Sequence, residues 1–322
     1  MKILVTGANG FIGSHIVEKF LQKGEKVRCL VHKNLTWLKD KPVELFYGSI
    51  THPETLPDAV KDIDFVFHCA AVLRVVKTQE YYEINHIGTK NLIETVYRYA
   101  PNIKRFVYIS SQAAMGPSQE TNKEECPVSD YGRSKLLGEK EVLKFKGKIP
   151  VAVLRPAAVY GPRDVDLLPF FKMVQKGIFP VLTGDENCVV QLLFVNDLVE
   201  ICYIITQKNT LSKDIYFLAE NKPYTWQEIG KIIAKISNKK IKIFVLPVWF
   251  VKTMATISEF TMKLKNKPAK LNRDKVKEFC QNCWIADSSL SEKEFNFKFT
   301  ELEIGARITY NWYKEKGWIK NE

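Results

Sequence analysis

The chain has 322 residues, of which 46% are hydrophobic and 26% are charged, and its glycine and proline counts are ordinary. This composition excludes a disordered, collagen-like or low-complexity protein and is sufficient for one large core or for a core with a smaller lobe. The formal net charge is +12, and most of it lies in residues 231–277, where thirteen basic residues accompany two acidic ones. Such a stretch indicates either a solvated helix face or a surface for an anionic partner.

Strands and helices alternate in the first half, which is typical of a parallel sheet covered on both faces. Apolar runs predict strands at residues 2–6, 26–31, 43–47, 64–69, 104–110 and 150–154. Helical spacing predicts helices at residues 12–23, 80–100 and 130–146. We therefore predict an α/β fold with a Rossmann-type doubly wound parallel sheet, the dinucleotide-binding core, over residues 1–160.

The second half is less regular. Its patterns predict helices at residues 194–206, 225–236, 273–279 and 301–313, and short strands at 215–218 and 241–245. We predict a smaller, mixed α/β C-terminal lobe over residues 161–322 that mainly binds substrate, with some segments returning to the core.

Seven cysteines are scattered along the chain, and no secretory signal precedes them, so we expect reduced thiols and a cytoplasmic location. Cys280 and Cys283 form a CxxC pair. A zinc site requires four ligands, and the sequence has no second CxxC and no HxxxH, so no metal site is predicted.

Three glycines follow the first predicted strand, at positions 7, 10 and 13. Gly7 permits a tight turn, Gly10 allows backbone amides to approach a pyrophosphate, and Gly13 allows the helix to pack closely on the strand. The helix N-terminus then presents partial positive charge to the phosphates, so the turn predicts a dinucleotide site. The same turn supplies three further cofactor-binding candidates, Asn9, Phe11 and Ile12.

The end of the second predicted strand lacks the acidic residue with which NAD sites usually bind the ribose 2′-hydroxyl. Val31 stands there, and His32 and Lys33 follow. Both side chains suit an anionic 2′-phosphate, so the sequence favours NADP over NAD, although two solvated side chains would give the same pattern.

Tyr131 and Lys135 are four residues apart in a predicted helix, which brings the ammonium beside the phenol. A neighbouring cation lowers the pKa of a phenol, so Tyr131 is suited to general acid–base catalysis. Ser111 follows the fifth predicted strand, at the edge where α/β sheets bind ligands, and its hydroxyl is suited to a carbonyl oxygen. The same spacing occurs at Tyr310 and Lys314, a copy that we assign to structure because it lacks this context.

Together these motifs resemble the extended branch of the short-chain dehydrogenase/reductase superfamily, also called the NAD-dependent epimerase/dehydratase family. The resemblance covers nearly the whole chain and rests on the glycine turn, on residues 64–71, 85–91, 131–135 and 154–162, and on passages near the C-terminus. It implies that Ser111, Tyr131 and Lys135 are catalytic and that Tyr131 and Lys135 also contact the cofactor. It also implies adenosine- and phosphate-side contacts from Ala70 and Ala71, nicotinamide contacts from Pro156 and Val159, and further cofactor contacts from Ile50 and Asn85. Ser49 is also a cofactor-binding candidate, although it departs from the Asp that many members place against the adenine.

Several departures from the sugar-nucleotide members narrow the substrate class. Ala158 stands where those members usually carry Asn, and Gln191 where they usually carry Arg, so two diphosphate contacts are missing. Gln112 and Ala113 follow the serine where sugar dehydratases carry Asp and Glu. These departures favour the branch that resembles dihydroflavonol reductases and hydroxysteroid dehydrogenases, whose substrates are apolar.

The predicted function is therefore NADPH-dependent reduction of a ketone or aldehyde, or the reverse alcohol oxidation, on a fairly apolar small molecule. Two alternatives stay open: a nucleotide-sugar epimerase, and a non-catalytic NADP-binding regulatory protein. The resemblance implies a homodimer formed through the predicted helices at residues 80–100 and 130–146. No nucleic-acid partner is expected, because the basic stretch contains no known nucleic-acid motif.

An uncharged run at residues 243–251 lies inside the basic stretch and is too short to span a bilayer, which takes about 20 apolar residues. Pro247 is expected to end a strand and to begin a helix. One interpretation packs this helix on the substrate lobe with Trp249 and Phe250 in the core. The other is a basic amphipathic element within residues 231–277 that makes weak contact with an anionic membrane surface.

Overall fold

The computed structural model describes residues 1–32, 34–117, 124–184, 188–281 and 283–320, so the cofactor candidate Lys33 lies outside the described residues. The strands are β1 (Lys2–Thr6), β2 (Lys26–Val31), β3 (Glu44–Tyr47), β4 (Phe65–His68), β5 (Arg105–Ile109), β6 (Val151–Pro156), β7 (Ala158–Tyr160), β8 (Ile178–Leu182), β9 (Val189–Val190), β10 (Leu192–Phe194), β11 (Ile215–Leu218), β12 (Tyr224–Thr225), β13 (Lys242–Leu246) and β14 (Cys283–Trp284). The helices are α1 (Phe11–Gln22), α2 (Pro57–Val60), α3 (Gln79–Tyr81), α4 (Thr89–Tyr99), α5 (Asp130–Leu143), α6 (Leu168–Gln175), α7 (Val195–Gln207), α8 (Trp226–Ile236), α9 (Val248–Leu264), α10 (Arg273–Phe279), α11 (Ser289–Phe295) and α12 (Leu302–Glu315). A π-helical turn spans Tyr82–Gly88, and 3-10 helices span Pro53–Thr55 and Gln112–Ala114.

Seven strands form one parallel sheet in the order β11-β6-β5-β4-β1-β2-β3. Strand β1 pairs with β2 on one side and with β4 on the other, so the strand order reverses between β1 and β4. Open α/β sheets bind ligands at such a point, beyond the carboxyl ends of the strands. The predicted Rossmann-type fold is confirmed, and the glycine turn lies at the end of β1, where the order reverses.

Alternate residues of the strands supply two hydrophobic cores, one on each face of the sheet. In β1, Val5 belongs to the core that includes Phe20 of α1, and Leu4 belongs to the core that includes Leu92 of α4. All four side chains are fully buried. Because helices cover both faces, the strand sequences are almost continuously apolar.

The helix predicted at residues 80–100 is interrupted. Helix α3 leads into the π-helical turn, and α4 follows it. The hydroxyl of Thr89 donates to the carbonyl of Asn85 at 2.7 Å, and Gly88 lies so close to Ile50 that a Cβ would be 2.7 Å from its Cδ1. Side-chain bonds to the backbone compete with regular helical bonding, so a single uniform helix is the wrong description of this segment.

Among the described residues, the second half contributes strands to three small sheets and one strand to the large sheet. Strand β10 pairs with β7, β9 lies between β12 and β14, and β13 pairs with β8. Strand β11 pairs with β6 and completes the edge of the seven-stranded sheet. The two halves of the chain are therefore joined through a shared sheet.

Helix α9 begins directly after Pro247, as the sequence predicts. The interpretation that buries Trp249 and Phe250 in the core is wrong, because these side chains are 68% and 41% exposed. Helix α9 packs on α10 and buries Ala255, and it leaves its opposite side uncovered. Among the described residues, no helix combines the length and the apolar character that crossing a membrane requires.

Candidate active site

Two glycines of the turn between β1 and α1 have no room for a side chain. A Cβ on Gly7, whose φ is +64°, would lie 2.8 Å from the backbone N of Ala70, and one on Gly13 would lie 2.2 Å from the carbonyl O of Gly7. Gly10 is the N-cap of α1, and no side chain of the described residues caps the helix there. The amides of the first turn are therefore available to the phosphates of a dinucleotide, which fit this position.

A buried neutral histidine connects this turn to β4. The N–H of Ala70 donates to Oγ1 of Thr6 at 3.2 Å, and the hydroxyl of Thr6 lies 2.7 Å from Nδ1 of His68. Nε2 of His68 lies 2.9 Å from the hydroxyl of Thr89, whose own proton goes to a main-chain carbonyl. This pattern assigns the ring proton to Nε2. Burial lowers the pKa of His68 to about 3, so the imidazole is neutral.

One cavity of about 250 Å³ at the carboxyl ends of the strands is lined by residues from both halves of the chain. Six of the site residues predicted from the sequence line it: Phe11, Ile12, Ser111, Tyr131, Pro156 and Val159. Much of the remaining wall is apolar and comes from Leu73, Phe170, Trp226 and Trp284 among others. The structure therefore brings the glycine turn, the serine and the tyrosine to one space.

Ser111 and Tyr131 each bring a hydroxyl group to this cavity, and the hydroxyl of a third lining residue, Ser110, donates to Glu139. Oγ of Ser111, at the start of a 3-10 helix, accepts the N–H of Ala113 at 3.1 Å. Tyr131 lies in the first turn of α5, edge-on to the ring of Tyr81. Burial raises the pKa of the Tyr131 phenol, Glu278 raises it further, and the interaction with Ser111 opposes the rise. The phenol is therefore protonated near neutral pH and is suited to donating a proton.

Lys135 lies one turn after Tyr131 on α5 and is 1% exposed. Its Nζ donates to the carbonyl of Ile109 at 2.8 Å and lies 4.2 Å from the centroid of the Tyr108 ring. Burial lowers the pKa of Lys135 to about 7, although Glu139 opposes this change. The sequence predicts that Lys135 lowers the pKa of Tyr131, but burial has the largest effect on this phenol and raises its pKa, and the group that opposes the rise is Ser111.

Helix α10 contributes two carboxylates to the start of α5. Asp274 accepts the N–H of Asp130 at 2.9 Å and the N–H of Tyr131 at 3.1 Å. Glu278 accepts the hydroxyl of Ser129, the N-cap of α5, at 2.6 Å. Carboxylates at this position compensate the partial positive charge of the helix N-terminus. Sequence reasoning missed both residues, because their segment is recognisable only as part of a basic helix and its packing partner is remote in sequence.

Two glutamines of the cavity wall differ in their bonding. Nε2 of Gln191 donates to the carbonyl of Asn221 at 3.2 Å, and its Oε1 accepts the N–H of Ala286 at 2.6 Å. Both ends of this amide are thus engaged within the protein. Gln112 is 5% exposed, and its Nε2 has no hydrogen-bond partner among the described residues. Ala158 contributes only a methyl group to the same wall.

Two predicted cofactor residues hold backbone segments near the crevice. Oδ1 of Asn9 accepts the N–H of Trp37 at 2.7 Å. Asn85 is fully buried, and its amide bonds the N–H and the carbonyl of Val72 and the hydroxyl of Ser134. Both residues therefore brace the protein itself, and a direct contact with the cofactor stays a prediction.

The remaining candidates do not line the cavity. His32 is exposed just beyond β2, Oγ of Ser49 lies 2.8 Å from Oγ1 of Thr51, and Ile50 is buried beneath Gly88. Ala70 and Ala71 follow β4, beside the glycine turn. Their assignment to the adenosine side of the cofactor rests on the family resemblance.

Comparison with known proteins gives the family. A model of the NAD dependent epimerase/dehydratase family matches residues 3–219. The chain belongs to this family. Ceramide reductase of Caulobacter vibrioides is 26% identical over 321 residues, which cover 98% of this chain and 96% of that protein. The sterol-4-alpha-carboxylate 3-dehydrogenase (decarboxylating) of Mus musculus is 27% identical over 273 residues, which cover 79% and 74%.

Solved structures of the epimerase/dehydratase family share the fold. UDP-glucose 4-epimerase of Thermotoga maritima, with UDP-glucose, has a TM-score of 0.78 and 22% identity over 98% of this chain and 99% of that one. dTDP-glucose 4,6-dehydratase of Bacillus anthracis, with NAD, has a TM-score of 0.76 and 23% identity over 98% and 97%. The chain is an NAD(P)-dependent oxidoreductase of the extended short-chain dehydrogenase/reductase branch.

Proposed function

We propose that this oxidoreductase reduces a ketone or aldehyde group of a fairly apolar substrate with NADPH, or oxidises the corresponding alcohol in the reverse direction. The observation that carries the proposal is the composition of one cavity wall. Ser111 and Tyr131 line it together with Pro156 and Val159, the residues that the family resemblance assigns to the nicotinamide, and most of the rest is apolar. A carbonyl group bound there meets two hydroxyl groups in a largely apolar surrounding.

The cofactor supplies the hydride, and the chain's own residues handle the oxygen. Oγ of Ser111 already accepts the N–H of Ala113, so its proton is available to the substrate oxygen. The protonated phenol of Tyr131 transfers its proton to that oxygen as negative charge develops there. Lys135 holds the nicotinamide ribose, the role that the family resemblance implies for it.

The cavity wall supports an apolar substrate more than a nucleotide sugar. Ala158 cannot donate a hydrogen bond to a diphosphate, and the amide of Gln191 is engaged with Asn221 and Ala286. Two relatives are named for a ceramide and for sterol carboxylates, which are lipids. We therefore infer a lipid-like carbonyl or alcohol as substrate.

The end of β2 supports a preference for NADP over NAD, which we also propose. Strand β2 ends at Val31 without a carboxylate, and the exposed His32 follows. Lys33 is the second basic residue that the sequence offers to a 2′-phosphate. Since an acidic residue at this point would repel that phosphate, its replacement by basic residues supports NADP.

The experiment measures NADPH oxidation against a panel of apolar ketones and aldehydes. We expect turnover by the native chain and a loss of roughly a hundredfold or more in Tyr131→Phe, which removes only the proton donor. Tyr310→Phe, in the second YxxxK copy on α12, is the matched control and should keep full activity. Unchanged turnover in Tyr131→Phe would refute the assignment. Co-purified NAD that does not exchange with NADPH, together with epimerised nucleotide sugar, would favour the epimerase alternative.

We also propose roles for the two halves of the chain, a location and an oligomeric state. Residues 1–160 bind the cofactor, residues 161–322 mainly shape the substrate site, and the expected location is cytoplasmic. A homodimer through the helical segments at residues 80–100 and 130–146 is supported by the exposed apolar side chains of Ile87 and Tyr97, both in the first of these segments. Light scattering should give the mass of two chains, and Ile87→Glu should give that of one.

The basic residues 231–277 support weak contact with an anionic membrane surface.

A further inference from the structure

The outward side of α9 is apolar, contrary to the usual arrangement of a surface helix. Its exposed apolar side chains are Trp249, Phe250, Met254, Ile257, Phe260 and Leu264, which we call the α9 apolar face. At about 100° per residue these positions fall on one side of the helix. Phe260 is 65% exposed and Leu264 is 74% exposed. Exposed Thr253 and Thr261 fall on the same side, but their hydroxyls donate to main-chain carbonyls, so the face is largely apolar and marks an interaction surface.

Lysines surround this face. Lys252, Lys263, Lys265, Lys267 and Lys270 are all exposed, and none forms an ion pair within the described part of the chain. The one acidic residue of α9 is Glu259, which pairs with Arg273 at 2.6 Å. By helical spacing, Lys252 and Lys263 border one edge of the α9 apolar face. The surface is therefore apolar in its centre, and its lysine rim consists of Lys252 and Lys263 along one edge and of Lys265, Lys267 and Lys270 at and beyond the C-terminal end of the helix.

We propose that the α9 apolar face docks on an anionic lipid bilayer, with the aromatic and aliphatic side chains entering the headgroup region and the lysines contacting anionic headgroups. A helix with an apolar face, a basic border and low acidic content is suited to that interface. Charge argues against a second copy of this chain as the occupant, because a two-fold interface would bring the two lysine rims together.

The position of α9 relative to the cavity relates the membrane contact to the proposed reaction. Glu259 of α9 also accepts the backbone N–H of Arg273, at the start of α10. Helix α10 in turn lines the cavity with Lys275, Glu278 and Phe279. The bilayer-facing helix thus packs on a helix of the cavity wall, so a docked chain presents its cavity close to the membrane. This part of the inference rests on the proposed function, in which the substrate is lipid-like.

Vesicle co-sedimentation of the full chain tests the docking itself. We expect binding to vesicles that contain phosphatidylglycerol, little binding to phosphatidylcholine alone, and release at high salt. Ile257→Ser should lower the partition coefficient roughly tenfold, because the side chain is no longer buried in the lipid. Ile304→Ser on α12 is the matched control, since Ile304 and Ile257 are 54% and 53% exposed, and it should bind like the native chain.

Substitutions of lysines test the electrostatic part of vesicle binding separately. Each Lys→Glu change, at Lys252 and at Lys263, should lower the partition at least fivefold, about the contribution of one basic residue near an anionic surface. Lys316→Glu, an exposed lysine after α12, should change it little. Doxyl-labelled lipid should quench part of the tryptophan fluorescence in the native chain and less of it in Trp249→Phe.

The outcomes separate this inference from the proposed function. A chain that reduces carbonyls but stays in the supernatant with phosphatidylglycerol vesicles at low salt overturns the docking and leaves the reaction intact. A chain that binds these vesicles but reduces no carbonyl overturns the reaction and leaves the docking intact. Loss of a dimer, rather than of vesicle binding, in Ile257→Ser would assign the face to a second copy and overturn the docking.

Discussion

The carboxylate of Asp274 accepts the backbone N–H of Tyr131 at 3.1 Å. Asp274 belongs to α10 in the second half of the chain, whereas Tyr131 begins α5 in the first. The same carboxylate also accepts the N–H of Asp130 at 2.9 Å. The start of the helix that carries Tyr131, the proposed proton donor, is therefore held by a side chain from the second half of the chain.

Replacing Asp274 by Ala should lower both stability and turnover. Loss of a helix-capping carboxylate costs about 1 kcal/mol, and the first turn of α5 that carries Tyr131 is then less fixed. We expect a lower Tm and a several-fold lower kcat, with Asp274→Asn in between. The control is Asp287→Ala, which removes an exposed acceptor of the Ser289 N–H and has no hydrogen bond to α5 among the described residues. A kcat that falls equally in both variants would contradict a specific role for Asp274.

Lys135→Met should abolish activity and yet stabilise the fold. The folded pKa of Lys135 is lowered to about 7 from 10.5, so the unfolded chain binds more protons between these values. Native stability should therefore rise with pH from about 7 to about 10.5, and the rise should be absent in the variant. At pH 7 we expect a gain of roughly 1–3 kcal/mol.

Thermal unfolding across this pH range measures the effect of Lys135→Met. The control is Lys314→Met in the second YxxxK copy, which should keep activity and the pH dependence of the native chain. If Lys135→Met is less stable than the native chain at pH 7, the buried ammonium of Lys135 does not destabilise the fold and the prediction is wrong.

His68 should make the fold sensitive to acid. Its folded pKa of about 3 lies below the ordinary value of 6.5, so the unfolded chain binds the proton more readily between these two values. The stability that the neutral imidazole contributes is complete above pH 6.5 and is lost as the pH falls towards 3. Urea unfolding at a series of pH values should show a smaller decline in His68→Gln than in the native chain, while exposed His52→Gln should leave it unchanged.

Replacing Gln112 and replacing Gln191 by leucine should have different effects on the stability of the chain. Gln112→Leu removes a buried Nε2 that has no partner among the described residues, so the Tm should be unchanged or raised. Gln191→Leu leaves the N–H of Ala286 without its acceptor and should lower the Tm. Thermal unfolding of both variants measures the difference, and a Tm that falls as far in Gln112→Leu as in Gln191→Leu would contradict it.

Lys33 bears on cofactor choice. Lys33→Ala should weaken NADPH binding about fivefold and leave NADH binding almost unchanged, because one exposed charge contact with a phosphate is worth about 1 kcal/mol. Titration of intrinsic fluorescence with each cofactor measures both constants. An equal loss for the two cofactors would mean that Lys33 does not recognise the 2′-phosphate.

The sequence predicted the fold well where periodicity and glycine spacing are strong. Strands β1, β2 and β11 and helix α10 have the predicted bounds, because apolar runs and turn residues limit them on both sides. The interruption before α4 was not predictable, since it depends on contacts of Gly88 with Ile50 from another segment. The order of the sheet likewise follows from packing and not from local pattern.

The residues of the candidate site also fall into those that local sequence patterns predict and those that they do not. Ser111 and Tyr131 belong to local motifs, and the structure brings both to one cavity. Asp274 and Glu278 escape sequence reasoning, because their meeting with α5 joins residues more than a hundred positions apart. The exposure of Trp249 and Phe250 was also missed, since an apolar run predicts burial and not what covers it.

The contact of α9 with α10, and of α10 with α5, has a thermodynamic consequence. If docking on lipid shifts α10, it shifts the cap on the helix of Tyr131 and with it the affinity for substrate. Linkage then requires substrate to change the affinity for the bilayer by the same factor. A chain with a filled cavity and a chain with an empty one would then differ in how long they stay on the membrane, so occupancy of the site would set residence at the surface.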